Sequence, residues 1–182
     1  MSLAHPPSGQ TLPLAAASTT DGCKFAQVYV DSSGKRVSTA PTYDAGWAQE
    51  IALDVQWAHA IAPMARIILI EAQDAVQTNV IKAIQLANSM GPGVVSMSLG
   101  ASEYFGTPLL ESLFTTTGMS YVAAAGDSGI GQAPLWPAIS SRVLSVGGTS
   151  LTGYTAAGVR TETVWGSASS GMSDGTATGK VP

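Results

Sequence analysis

Short apolar runs bounded by Gly, Ser or Pro recur along the chain and alternate with stretches of helical spacing. Runs of this kind, rich in Val, Ile, Leu and Ala, are typical of strands. They occupy residues 24–30, 66–72, 93–99, 119–125 and 142–148. The run at 66–72 is almost continuously apolar, which indicates a strand buried on both faces.

The stretches between these strands predict helices. Helical spacing covers residues 44–61, 76–90 and 107–117, and Pro63 is expected to end the first helix. Residues 150–165 are predicted to form a hairpin with its turn near "TAAGV". Because apolar strands that alternate with helices form sheets covered on both faces, the pattern predicts an α/β fold with a mostly parallel sheet.

The two ends of the chain differ from this pattern. Residues 1–22 are rich in Pro, Ser, Thr, Gly and Ala, so we expect a loose lead-in whose "MSL" start is typical of a cloning leader. We expect residues 23–182 to form one domain, since 182 residues with 45% hydrophobic content can bury a sizeable core.

Polar loops follow three of the predicted strands, at the carboxyl-terminal edge where parallel sheets usually carry their binding and catalytic sites. These loops are "SLGASE", "AAGDSG" and "VGGTS". The second contains Asp127 between glycines, where it could cap a turn or, if protonated, donate a hydrogen bond to a developing oxyanion. Ser128 and Ser150 are the two candidate nucleophiles in these loops.

A pair of carboxylates lies in the first predicted helix. Glu50 and Asp54 are four residues apart, which places both on one helix face. The helix is apolar nearly all round, so we expect it to be buried, and two neighbouring buried carboxylates cannot both ionise easily. Such a pair suits general acid–base catalysis. Alternatively, one carboxylate pairs with Arg66 or Lys82 and the other faces water.

Composition excludes several classes of function. The net charge of −4 argues against a nucleic-acid groove, and no apolar run is long enough to span a membrane. Cys23 is the only cysteine, so an internal disulfide is excluded. "GDSG" and "WAHAIAP" are weakly similar to motifs of trypsin-like proteases, but those enzymes are all-β proteins and this chain alternates strands with helices. An Asp/His/Ser triad of the subtilisin type is also unsupported, because no histidine follows a strand: His59 lies in a predicted helix and His5 in the lead-in.

Five motifs together resemble the sedolisin family of serine-carboxyl peptidases, in particular kumamolisin-like members. They are "WAQEIALDVQWAHAIAPMARIILIEA", "VVSMSLGASE", "AAAGDSG", "WPAISSRVLSVGGTSL" and "TETVW", in family order from about Lys24 to Trp165. The resemblance implies a three-layer subtilisin-like fold and a secreted acid endopeptidase acting on proteins or peptides. By position it makes Glu50 the general base, Asp54 its partner and Asp127 the oxyanion group.

The nucleophile of that family lies in a "GGTSxxxP"-like motif downstream of "ETVW". We therefore expect it beyond Pro182, with Ser150 a strand-end or turn residue and Ser128 a neighbour of Asp127. The chain would then be a truncated, inactive part of the domain. It would contain no cofactor, since the calcium site implied for the complete family domain lies nearer its end.

Two other functions remain open, and one association is expected. The chain could be a degenerate, non-catalytic binding or interaction domain on a sedolisin-like scaffold, or a different α/β enzyme that uses Ser128 or Ser150 with a carboxylate. A truncated parallel sheet leaves an unpaired edge and apolar surface, so we expect self-association.

Overall fold

The computed structural model of the protein describes residues 25–103, 106–131 and 135–169. The chain divides into two compact units, Met1–Ala87 and Asn88–Pro182, and each is described by itself. The lead-in and the residues after Ser169 lie outside the described residues. Among the described helices, none combines the length and the hydropathy that crossing a membrane requires.

The first unit contains a small mixed sheet of β1 (Phe25–Val30), β2 (Arg36–Val37) and β3 (Ile67–Ala72). The predicted strands β1 and β3 are parallel and in register over their whole length. The two-residue strand β2, which the sequence analysis missed, folds back antiparallel on β1. It is too short to show an apolar pattern.

Two helices follow the predicted pattern in the first half of the chain. Helix α1 spans Ala45–Ile61 and α2 spans Gln77–Ser89, both close to the predicted limits. Asp44 begins α1 as an N-cap, because its Oδ1 accepts a hydrogen bond from the Trp47 amide at 2.9 Å. The sequence thus sets where α1 begins, and Pro63 follows its end as expected.

The burial predicted for these elements is wrong. No residue of α1 is buried, and Trp57 and Ile61 are 62% and 77% exposed. Within its unit α1 packs on β3, and apolar side chains spread around a whole helix cannot all face one strand. Strand β3 is itself half-buried rather than fully buried, with Ile68 exposed.

The second unit contains the remaining strands. They are β4 (Gly93–Met97), β5 (Ala101–Ser102), β6 (Met119–Ala124), β7 (Leu135–Trp136), β8 (Leu144–Val146), β9 (Thr149–Tyr154) and β10 (Arg160–Val164). The predicted strands β4, β6 and β8 form a parallel sheet with β6 in the centre. The short antiparallel pair β5–β7 was not predicted.

The predicted hairpin is confirmed. Strands β9 and β10 pair antiparallel, with a register shift between Thr161 and Glu162. The turn closes through hydrogen bonds between Thr155 and Val159 and from the Gly158 amide to the Thr155 carbonyl. Gly158 has a positive φ of 81°, which a side chain would disfavour there.

Aromatic side chains form the core of the second unit. Phe114 contacts Tyr121 edge to face at a centroid distance of 5.2 Å, and its centroid lies 6.1 Å from that of Trp136. The predicted helix that carries Phe114 is a 3₁₀ helix, Thr107–Phe114. The Tyr121 hydroxyl donates to Asn88 Oδ1, so the buried ring also satisfies its polar end.

Candidate active site

The carboxylate pair of the first unit lies on an open face of α1. Helical geometry places Trp47, Glu50, Asp54, Trp57 and Ile61 within a sector of about 80°. Glu50 is half-buried and Asp54 is exposed. Glu50 and Asp54 therefore share a helix face, as expected from the sequence. That face is open to solvent and bordered by apolar side chains, and it is not buried. The full burial expected to favour an acid–base pair is not found on this helix.

Asp127 belongs to the second unit, in the loop that follows β6. The flanking Gly126 and Gly129 have φ values of 105° and 87°, which confirms the expected glycine-dependent turn. Asp127 is exposed. Its carboxylate makes no hydrogen bond to any other residue of the described chain, so no capping bond is found there.

The loops that follow the parallel strands lie close together, as expected for the carboxyl edge of such a sheet, and two of them meet at Leu135. A Cβ added to Gly100 would lie 2.7 Å from the Leu135 Cδ1 atom, and one added to Gly126 would lie 3.0 Å from the same atom. The Ala125 amide donates to the Val146 carbonyl at 2.8 Å. The motifs "SLGASE", "AAGDSG" and "VGGTS" thus form one neighbourhood within this unit.

A segment that the sequence analysis did not assign to the site also belongs to this neighbourhood. We call residues 165–169, which directly follow β10, the clamp segment. The Ser169 amide donates to the Gly126 carbonyl at 2.8 Å, and the Gly129 amide donates to the Ser167 carbonyl at 3.0 Å. The Ser128 amide donates to Ser169 Oγ at 2.9 Å. The small residues of "GSAS" gave no pattern from which these contacts could be predicted.

The two candidate serines are placed as the sequence suggested. Ser150 is a residue of β9 and pairs with Thr163 of β10, so it lies in the hairpin rather than on a nucleophile turn. Ser128 adjoins Asp127, and its amide is held by Ser169.

Asp31 is a further strand-end carboxylate, and the sequence analysis missed it. It follows β1, and its Oδ1 accepts hydrogen bonds from the Ser33 hydroxyl at 2.7 Å and the Lys35 amide at 2.9 Å. The bond from the Ser33 hydroxyl, followed by that from the Lys35 amide, lowers the pKa of Asp31. These contacts give Asp31 a structural role in the β1–β2 turn. Its place after an apolar strand was the available signal.

The sequence profile of the subtilase family matches residues 31–181, most of the chain. The chain belongs to the subtilase family. The match includes Glu50, Asp54, Asp127 and the clamp segment.

One solved structure shows that this subtilase chain has a subtilisin-like fold. A Pseudomonas sedolisin, a serine-carboxyl proteinase complexed with two molecules of pseudo-iodotyrostatin, is 23% identical with a TM-score of 0.59. The similarity covers 78% of this chain and 52% of that one. The chain therefore spans about half the length of this sedolisin. At that identity the likeness establishes the α/β fold predicted from the motifs.

A second structure shares less with the chain. A psychrophilic subtilisin-like protease from the Antarctic Pseudoalteromonas sp. AS-11 is 29% identical over 46% of this chain and 20% of its own, with a TM-score of 0.39. No curated protein sequence matches the chain.

The calcium implied by the sedolisin resemblance has no ligand set in the part of this subtilase that the structure describes. Within those residues, no three His, Cys, Asp or Glu side chains come together as a metal site would require.

Proposed function

We propose that the chain is part of a secreted acid serine-carboxyl endopeptidase. The observation that supports this most is the pair Glu50 and Asp54, one helical turn apart on a solvent-open face bordered by Trp47 and Trp57. A substrate peptide could reach such a face, and the bordering rings could exclude water once it is bound. Carboxyl groups used as base and acid work best at acid pH.

Each carboxyl group has one role in the proposed reaction. Glu50 accepts the proton of a serine hydroxyl as that oxygen attacks the peptide carbonyl, and later returns the proton to the leaving amine. Asp54 hydrogen-bonds and orients Glu50. Asp127, protonated, donates a hydrogen bond to the carbonyl oxygen as it gains negative charge. Its lack of a hydrogen-bond partner among the described residues is consistent with that role.

The serine of this proposal lies in the parent protein outside the chain. The chain spans 52% of the sedolisin it resembles in fold, so such a segment has room in a protein of that size. Ser150 is a hairpin residue and Ser128 is tied to Ser169 through its amide. We accordingly propose that the 182-residue chain alone does not hydrolyse peptides.

The decisive experiment measures hydrolysis of an unstructured protein at about pH 3 to 5 by the parent protein. We expect Glu50→Gln, Asp54→Asn and Asp127→Asn each to reduce kcat by roughly a hundredfold or more. Gln56→Ala, on the opposite side of α1, is the matched control and should leave kcat unchanged. Equal activity in all four variants would contradict the assignment.

The same assay on the 182-residue chain tests the missing nucleophile. We expect no turnover above buffer. Turnover that Ser150→Ala or Ser128→Ala abolishes would show that a serine of this chain is the nucleophile, as in the different α/β enzyme considered above.

A non-catalytic binding scaffold is the second candidate. It is favoured by the place of Ser150 within the hairpin rather than on a nucleophile turn and by the exposed apolar face of α1. A parent protein that is folded at acid pH, binds peptides and hydrolyses none of them would support this candidate. The same exposed surface supports self-association of the chain.

A further inference from the structure

The position of Asp127 needs an explanation that its own loop does not provide. Gly126 and Gly129 flank it at positive φ, where glycine has wide conformational freedom. The Asp127 side chain forms no hydrogen bond to the other described residues that could fix it. A catalytic group must nevertheless be held within about half an ångström of its working position. Something outside the loop must supply that order.

The clamp segment contacts the loop on both sides of Asp127. Before it, the Gly126 carbonyl accepts from the Ser169 amide. After it, the Ser128 amide donates to Ser169 Oγ and the Gly129 amide donates to the Ser167 carbonyl. The three bonds therefore bracket the one residue that carries the carboxyl group.

The clamp segment is itself anchored. The Trp165 amide donates to the Gly148 carbonyl at 3.0 Å, and the Ala168 amide donates to the Trp165 carbonyl at 3.0 Å. Ala168 is buried and would lie 3.6 Å from a Cβ on Gly147. The segment is thus tied to the junction of β8 and β9, and can transmit the order of the sheet to the loop.

Ser169 is the residue of this segment whose side chain makes the contact. It is buried, with 8% exposure, and its Oγ would lie 3.0 Å from a Cβ on Gly126, so the two backbones approach closely. Ser167 contributes only its carbonyl to the loop. Ser169 and Ser167 can therefore be compared in mutants, because the hydroxyl of Ser169 contacts the loop and the hydroxyl of Ser167 does not.

The same bonds restrict which groups can meet an oxyanion. The amides of Ser128 and Gly129 point to the clamp segment and are already used as donors. The side-chain groups of the loop that make no hydrogen bond to another described residue are the Asp127 carboxyl group and the Ser128 hydroxyl, and only the first is acidic.

We infer that Ser169 is a positioning residue, which fixes Asp127 through the Ser128 amide so that the carboxyl group is held toward the substrate carbonyl. The catalytic part of this role rests on the proposed function. The ordering part does not, because it concerns the loop of the protein without substrate.

Backbone NMR on the full 182-residue chain tests the inference. In Ser169→Ala we expect amide exchange of Ser128 to accelerate about five- to tenfold, in line with loss of one hydrogen bond. Order parameters at residues 126–129 should fall from about 0.85 to below about 0.6, with β6 unchanged. Ser169→Cys, which keeps a side chain of the same shape with a poor acceptor in place of the hydroxyl, should also loosen the loop.

Two variants make the result specific to the hydroxyl. Ser167→Ala should leave the loop as in the wild type, and Ser169→Thr should restore it. Unchanged loop order in the Ala and Cys variants would overturn the inference, as would equal loosening in Ser167→Ala or Ser169→Thr. Because the readout is loop order and not hydrolysis, an inactive parent protein would refute the proposed function without deciding this result.

Discussion

Residue 100 must be a glycine because Leu135 occupies the space that a side chain would need. A Cβ at this position would lie 2.7 Å from Leu135 Cδ1 and 3.0 Å from Leu135 Cβ, closer than side chains tolerate. Leu135 also adjoins Gly126 of the Asp127 loop. A side chain at residue 100 would therefore displace a residue on which two of the site loops pack.

We predict that Gly100→Ala lowers the free energy of unfolding by about 1–3 kcal/mol, the usual range for overpacking. Urea unfolding followed by fluorescence measures it through the midpoint concentration. Gly93→Ala is the control, since nothing lies within 4 Å of its added Cβ. Equal midpoints for the two variants would show that Leu135 moves aside freely.

Some relations between single residues follow from the sequence, and others depend on the tertiary structure. Glu50 and Asp54 could be placed on one face because helical spacing fixes that relation. The partners of Ser169 could not be predicted, because a hydrogen bond between residues 128 and 169 depends on how distant segments meet. The role of Asp31 was missed, although its position after a strand was visible.

At the scale of elements, α1 carries the proposed base and its partner, so its first turn matters to the site. Asp44 Oδ1 satisfies the Trp47 amide, one of the donors that every helix leaves unpaired at its start. The sequence predicted this helix from its spacing and the residues at its ends.

We predict that Asp44→Ala lowers the free energy of unfolding by about 1 kcal/mol, because the cap is lost. Asp44→Ser, which keeps an acceptor, should retain most of the stability. Thermal unfolding followed by circular dichroism distinguishes them. If the Ala and Ser variants unfold at the same temperature, the cap contributes nothing to the fold.

Other elements differ from their predictions for physical reasons. The segment that begins with Thr107 and Pro108 was predicted to be a helix of the ordinary kind. It folds as a tighter 3₁₀ helix. Strands β2, β5 and β7 have two residues each, so their sequences are too short to show the alternation of apolar and polar residues that marks a strand. The long apolar strands β1, β3 and β6 were predicted almost to the residue, because their pattern is strong.

At the scale of the whole molecule, exposed apolar surface is the dominant feature. Trp47, Leu53, Trp57 and Ile61 of α1 are 42–77% exposed, and Val94 and Leu144 on the outer strands of the β4–β6–β8 sheet are also exposed. Exposed apolar surface on either unit favours association.

We predict that the chain forms dimers or larger species at micromolar concentration and pH 7, where its net charge is −4. Multi-angle light scattering measures the mass. Trp57→Gln with Ile61→Gln should shift the chain toward monomer, whereas Gln56→Ala should not. A monomeric wild type would contradict the prediction, and association that persists in the double variant would move the contact away from α1.

The sequence by itself determined the order of strands and helices, the shared face of Glu50 and Asp54, the glycine-dependent turn at Asp127 and the family. These properties follow from local spacing and backbone preference, which neighbours in the chain decide. Only the tertiary structure decided the exposure of α1, the meeting of two loops at Leu135 and the bonds from residues 165–169 to the Asp127 loop. Burial and long-range hydrogen bonds depend on which segments pack together, and one chain's sequence pattern does not specify those partners.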